Sequence, residues 1–66
     1  MMVEKYLELL NSKLEEEKKR YVEQIIDGKC IDFAVYRELS GVIRGLATAQ
    51  FEVHDLLRKL KEANED

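Results

Sequence analysis

Apolar residues recur with helical spacing over the second half of the chain. From Val35 onward the intervals alternate between four and three residues without a miss. Such a heptad pattern, sustained over about four repeats, is typical of a helix that packs lengthwise against another helix. The positions in this pattern are Val35, Leu39, Val42, Leu46, Ala49, Val53, Leu56, Leu60 and Ala63.

A second apolar column lies beside the first and makes the stripe wider than one partner helix needs. This column contains Tyr36, Ile43 and Leu57, and Gln50 interrupts it. The extra width predicts oligomerisation or docking on a larger body. The residues that we predict to form the helix-packing seam are Leu39, Val42, Leu46, Val53, Leu56 and Leu60.

The first half of the chain is also helical in pattern, but its middle is charged on all sides. Opposite charges four residues apart, as in Glu15 with Lys19 and Glu16 with Arg20, stabilise a solvated helix. We interpret this stretch as a solvent-exposed segment, with a charged contact surface as the alternative. The apolar residues that share one side of this predicted helix are Val3, Leu7, Leu10, Leu14, Tyr21 and Ile25.

A turn separates the two patterned halves. Gly28 is suited to the left-handed conformation that closes a helix, and Asp32 is typical of a helix N-cap. We predict helix one at about 2–27, a turn at 28–32 and helix two at about 33–63. The predicted fold is all-α: one antiparallel two-helix hairpin with coiled-coil-like packing, forming an oligomer.

Small size makes association with a partner the expected source of stability. The chain has 66 residues, no proline, one cysteine and one histidine. A chain of this length buries only about 60% of its unfolded surface and is marginally stable alone. One cysteine cannot form an internal disulfide, and one cysteine with one histidine cannot build a zinc site.

The charge and hydropathy patterns exclude several classes of protein. With 11 basic and 14 acidic residues the net charge is −3, which argues against a general nucleic-acid binder. No apolar run reaches the length of a membrane span, and MMVEKYLELL lacks the layout of a signal peptide. A lone thiol without a secretion signal predicts a reducing compartment.

Small residues on helix two suggest a close helix crossing. Gly41, Gly45 and Ala49 lie four residues apart, and each glycine within a helix costs about 1 kcal/mol relative to alanine. A neighbouring backbone that approaches closely would offset this cost, either inside the hairpin or between chains. The alternative is that the glycines are tolerated on an exposed face.

A column opposite the seam offers a candidate partner contact. Arg37, Arg44, Phe51 and Arg58 recur every seven residues. They could grip an acidic partner or a nucleic-acid backbone, with Phe51 as an apolar anchor. The alternative is a solvated helix back with one isolated aromatic residue.

No group of residues predicts catalysis or ligand binding. Cys30 lies in the turn with no histidine near it in sequence, and His54 is a single titratable group beside Asp55. No phosphate loop, nucleophile elbow or paired metal motif is present. We therefore predict no enzyme activity, no catalytic, cofactor-binding or metal site, and no cofactor.

The segment 31–49, IDFAVYRELSGVIRGLATA, resembles part of small, uncharacterised helical proteins encoded by tailed bacteriophages. The resemblance covers less than a third of the chain. It implies a phage setting and a virion-associated or assembly-associated protein, and it transfers no catalytic residue. The residues that carry it are Asp32, Phe33, Tyr36, Arg37, Leu39, Gly41, Ile43, Arg44, Gly45 and Leu46.

These observations favour a non-enzymatic structural or assembly protein that acts through helix–helix contacts, such as a phage virion component. Its expected partners are further copies of itself or a larger protein assembly, without nucleic acid or membrane. Its expected location is the bacterial host cytoplasm or the virion. A small regulatory binder that inhibits a host or phage enzyme is the second interpretation, and a nucleic-acid-binding hairpin is the third.

Overall fold

The protein is a helical hairpin. The computed structural model describes residues 2–28 and 32–64, and within these ranges the regular secondary structure is entirely α-helical. Helix α1 spans Met2–Ile26 and helix α2 spans Phe33–Asn64. The two helices pack against each other along their length. The prediction of an all-α, two-helix antiparallel hairpin is confirmed.

The first helix ends through a left-handed glycine. Gly28 has a φ of 75°, a conformation that residues with a Cβ rarely adopt. The last turn is closed by two backbone hydrogen bonds, from Asp27 N–H to the Glu23 carbonyl at 2.9 Å and from Gly28 N–H to the Ile25 carbonyl at 3.2 Å. This is the closing role that the sequence predicts for Gly28.

The second helix begins at a side-chain cap. The Oδ1 atom of Asp32 accepts a hydrogen bond from the Val35 backbone N–H at 2.9 Å, which satisfies one of the amide groups left without a partner at a helix start. Only the ends of the predicted turn at 28–32 are described. Cys30 lies outside the described residues.

The molecule is a rod rather than a sphere. Its Cα extents are 53 × 15 × 12 Å and its radius of gyration is 15.4 Å, whereas a compact domain of this length has a radius of about 11 Å. The accessible surface is 5325 Å², against about 4,400 Å² for a globular protein of the same mass. Two helices side by side therefore leave much of their surface uncovered.

The contact between the helices centres on two columns of α2. Within the described residues, Val53 is the one buried hydrophobic side chain, at 5% exposure, and Gln50 is the one buried polar side chain, at 9%. The positions above and below them are half-buried. In order, the positions of α2 that face α1 are Leu39, Ile43, Leu46, Gln50, Val53, Leu57 and Leu60.

This arrangement corrects the predicted seam at two positions. Val42 is 36% exposed and Leu56 is 49% exposed, so both lie at the margin of the contact inside the hairpin. Ile43 and Leu57, from the column predicted to flank the seam, are less exposed. The reason is that the partner helix places polar side chains opposite Gln50, which rotates the contact towards that column.

The ion pairs of α1 also differ from the predicted ones. Glu15 pairs with Lys18, with a distance of 3.0 Å between Oε2 and Nζ, and Glu17 pairs with Arg20. Both pairs are three residues apart, rather than the predicted four. Lys18 and Glu15 both form a hydrogen bond with Gln50 of α2. This shared partner brings the two side chains together.

Candidate functional site

A polar layer crosses the middle of the hairpin. The Gln50 amide group donates to Glu15 Oε2 at 2.7 Å and to Asn11 Oδ1 at 3.4 Å. Its carbonyl oxygen accepts a hydrogen bond from Lys18 Nζ at 2.7 Å. Asn11, Glu15, Lys18 and Gln50, hereafter the polar layer, therefore form one connected network in which the buried amide is paired at both ends.

The polar layer favours the charged form of its carboxylate. A hydrogen bond from Gln50 and a second from Lys18 hold the pKa of Glu15 below its ordinary value of 4.5, despite some desolvation. Both donors stabilise the carboxylate rather than the carboxylic acid. Glu15 is thus a structural anion that helps to hold the two helices in register.

The polar layer also determines which sides of the two helices lie together. Glu15 flanks the interhelical column of α1 on the side where Gln50 lies in α2. In an antiparallel heptad pair, the opposite flanks of the two helices must then share the other side of the hairpin. That other side, hereafter the apolar face, contains the heptad columns Val3, Leu10, Glu17 and Gln24 of α1 and Val35, Val42, Ala49, Leu56 and Ala63 of α2. It is apolar along α2 and at the end of α1 away from the turn.

The apolar face is open to solvent in the single chain. Val3 is 51% exposed, Leu10 is 44% exposed and Leu56 is 49% exposed. These large side chains lie in the half of the hairpin away from the turn, where Leu10 and Leu56 are at similar heights. An apolar surface that extends over both helices in this half is characteristic of a contact site for another protein.

Charged residues of opposite sign border the apolar face. On the α1 rim lie Lys13 and Arg20, and on the α2 rim lie Glu38, Glu52 and Lys59. Arg20 pairs with Glu17 and Lys59 pairs with Asp55, whereas across residues 2–28 and 32–64 the side chains of Lys13, Glu38 and Glu52 take part in no ion pair or hydrogen bond. One rim therefore presents a free cation and the other rim presents free anions.

The glycines of α2 do not make a close crossing inside the hairpin. A Cβ atom added at Gly41 or at Gly45 would meet nothing within 4 Å, because both residues point to solvent. Gly45 borders the apolar face, and Ala49 lies within it and is half-buried. For Gly41 and Gly45, the crossing between chains remains a prediction.

The column opposite the seam is exposed throughout. Phe51 is 75% exposed, and Arg37, Arg44 and Arg58 are also exposed. The Arg58 guanidinium donates to Asp55 at 2.6 Å and lies 3.5 Å from a Glu62 carboxylate oxygen. A large part of its charge is thereby neutralised.

The ion pairs around Arg58 shift the pKa values of two groups. Hydrogen bonds from Arg58 and Lys59 hold the pKa of Asp55 below its ordinary value. The same contact with Asp55, helped by Glu62, raises the pKa of Arg58. These groups form a short surface network along the last turns of α2, and exposed pairs of this kind contribute little to stability.

The other two arginines border a shallow aromatic depression. Phe33 and Tyr36 stack with their ring centroids 6.4 Å apart, and together with Arg37, Gly41 and Arg44 they line a groove near the start of α2. In the described part of the chain, neither Arg37 nor Arg44 takes part in an ion pair. The three arginines are therefore not equivalent, although the sequence spacing treats them alike.

The metal-ligating side chains of the described residues are dispersed. Among the described residues, no three side chains of histidine, cysteine, aspartate or glutamate lie close enough to hold a metal ion. His54 is exposed beside Phe51 and Arg58 in a shallow depression.

Neither α1 nor α2 is sufficiently long and apolar to cross a lipid bilayer.

The polar layer is the feature that sequence reasoning did not interpret. Gln50 stands out as a polar residue within an apolar column, and this interruption is the signal that could have identified it. Its partners Asn11 and Lys18 occupy α1 positions that face the partner helix, where apolar residues are the norm. A polar residue at such a position commonly specifies register and orientation.

Comparison of the chain with protein-family models, with curated proteins and with solved structures found no match.

Proposed function

We propose that the protein is a non-enzymatic structural or assembly component that acts through helix–helix contacts. One observation supports this proposal above the others. Among the described residues, Val53 is the one buried hydrophobic side chain, whereas eleven large hydrophobic side chains are classed as exposed. A chain with so little core of its own gains stability mainly when another protein covers its surface.

The exposed apolar surface supports the proposal of association. Covering apolar area contributes about 25 cal/mol per Å², so a few hundred square ångströms would add several kcal/mol to the stability of a marginal hairpin. Met2 and Tyr6 of α1 and Phe51 of α2 are each at least 65% exposed, which extends the uncovered surface beyond the apolar face itself.

The resemblance of segment 31–49 to proteins of tailed bacteriophages supports a phage setting for this role. The segment forms the capped start of α2 and its first four turns, together with the Gly41 and Gly45 positions that have no neighbour inside the hairpin. We therefore propose a virion-associated or assembly-associated component. The genes beside its own test this setting, since capsid, portal or tail genes are expected there.

Two measurements on the purified full chain test the proposed mode of action. Light scattering over a wide range of concentrations should give a defined mass above that of one chain. Circular dichroism should show a melting temperature that rises with protein concentration, because association stabilises the folded state by mass action. A single chain that stays folded, with the same melting temperature at every concentration and no ligand bound, would refute the proposal.

A further inference from the structure

We propose that a second copy of this chain covers the apolar face, and that α1 of each copy packs antiparallel on α2 of the other to form a four-helix bundle. This inference rests on the proposed function and specifies its partner. Twofold dimers are the most common closed assemblies, and their contacts are self-complementary. In a twofold dimer the same surface of each copy forms the contact, so the apolar face must be complementary to a second copy of itself.

The outline of the hairpin leaves room for a dimer contact. The whole broad side, of which the apolar face is a part, measures 53 by 15 Å in Cα extents, or about 800 Å² in projection. A standard protein–protein interface buries about 800 Å² per partner. The centre of this side is lined by Leu10, Val42, Ala49 and Leu56, together with Glu17, which pairs with Arg20, and the unpaired charges lie at the rims, as in known interfaces.

The rim charges choose between two ways of stacking the faces. If the twofold axis runs parallel to the helices, the α1 rim of one copy meets the α2 rim of the other, so that Lys13 approaches acidic residues. If the axis runs across the helices, each rim meets the same rim of the other copy with its heights reversed, and Lys13 does not meet Glu52. The first arrangement pairs the free cation with a free anion and the second does not, so the charges favour the first.

The register of the hairpin identifies the residues that would meet. Gln50 contacts Asn11, Glu15 and Lys18, so residues near Lys13 in α1 lie at the height of residues near 50–52 in α2. Rotation about an axis parallel to the helices keeps every residue at its height. Lys13 of one copy therefore lies beside Glu52 of the other, and this contact occurs twice in the dimer.

Charge reversal tests the arrangement with matched controls. In the full chain, Lys13→Glu should raise the dimer dissociation constant, measured by light scattering at low salt, by about three- to thirtyfold, because two exposed ion pairs become repulsive contacts. Adding Glu52→Lys to this variant should restore the wild-type value. The difference should fade at about 1 M salt, where the Debye length is about 3 Å.

The control reverses a charge on the opposite side of α1. Lys5 is exposed, and its side chain has no ion pair with the described residues. Lys5→Glu changes the net charge as Lys13→Glu does, from −3 to −5, and should leave the dissociation constant within about twofold of wild type, since distant surface charges are screened. The Lys5→Glu/Glu52→Lys chain carries the same net charge as the rescued variant but should not be rescued.

Each outcome separates this inference from the proposed function. A dimer that Lys13→Glu weakens and Glu52→Lys rescues supports the arrangement. A chain that associates with unchanged or increased affinity after Lys13→Glu, that is not rescued by Glu52→Lys, or that forms a larger species than a dimer overturns this arrangement and leaves the proposed function standing. A wild-type chain that remains single and folded overturns both.

Discussion

Lys18 of α1 donates a 2.7 Å hydrogen bond to the side-chain oxygen of Gln50 in α2, across 32 positions of sequence. Because Gln50 also binds Glu15 on the same side, the amide is satisfied in this register. A slide of α1 by one heptad would place Gln50 against Lys18, Val22 and Ile25 or against Glu4, Glu8 and Asn11, and neither set keeps all three observed partners. The observed alignment pairs both ends of the amide, so the polar layer favours this alignment of the apolar stripes.

Replacing the buried amide should distinguish the stability contributed by its hydrogen bonds from the stability contributed by its packing. We expect Gln50→Ala to lower the free energy of unfolding by about 1–2 kcal/mol, because it leaves a gap and removes the hydrogen bonds to Glu15 and Lys18. Gln50→Leu should be neutral or stabilising by up to about 1 kcal/mol, since an apolar side chain of similar volume fills the space. Thermal unfolding followed by circular dichroism measures both. If Gln50→Leu lost as much stability as Gln50→Ala, the hydrogen bonds would be the dominant contribution of this residue.

Two valines of α2 provide a matched pair for separating the hairpin core from the apolar face. Val53 is 5% exposed and Val42 is 36% exposed. Val53→Ala should cost about 2 kcal/mol at every protein concentration, because it removes methyl groups from the contact between the helices. Val42→Ala should cost less than half as much in a dilute chain and should mainly weaken association. Equal losses for both variants under dilute conditions would contradict the observed packing.

Acid should weaken the hairpin partly through Glu15. The folded-state pKa of this carboxyl is lowered by Gln50 and Lys18, so its stabilising contribution is complete above the unfolded pKa of about 4.5. The contribution is lost as the pH falls through the lower folded-state pKa. Glu15→Gln should therefore flatten the loss of stability below about pH 4.5, measured by denaturant unfolding from pH 6 to about pH 2.5.

The neighbouring residue is a control for this acid effect. Glu16 is exposed and has no ion pair or hydrogen bond from its side chain within the described part of the chain. Glu16→Gln should leave the dependence of stability on pH close to that of wild type. An equal flattening by both variants would show that general charge, rather than the polar layer, governs the acid response.

Replacing Gly41, one of the two exposed glycines of α2, by alanine should stabilise the helix. A Cβ at Gly41 would meet no atom within 4 Å, and Gly41 lies away from the apolar face. Gly41→Ala should raise the free energy of unfolding by about 1 kcal/mol through helix propensity and a less disordered unfolded chain. The gain should be independent of protein concentration. A loss of stability or of association would instead support the close crossing between chains that the glycine spacing predicts at this position.

Local signals in the sequence were sufficient to predict the hairpin itself. Gly28 and Asp32 each act through their own backbone neighbourhood, and the structure shows the left-handed turn at one and the cap at the other. The heptad positions Leu39, Leu46, Val53 and Leu60 belong to the contact on any assignment of the face. Features that depend on a few adjacent residues are therefore accessible from the sequence.

The orientation of α2 was not accessible from its own pattern. The columns containing Val42 and Leu56 and containing Ile43 and Leu57 lie about 50° to either side of the shared column. Both are mostly apolar, so α2 alone does not decide between them. The choice depends on α1, whose Asn11 and Lys18 meet Gln50. The interruption at Gln50 is visible in the pattern of α2, but that pattern does not identify its partners, which lie more than 30 residues away.

The slender outline of the hairpin, 53 Å long and at most 15 Å across, has a consequence for how it moves through water. A lone rod experiences more friction than a sphere of equal mass, so it elutes early from a sizing column and imitates a heavier particle. Two rods stacked on their broad sides make a stouter body. Pairing would therefore reduce drag per unit mass, and sedimentation velocity would rise more steeply than doubling the mass at constant shape allows.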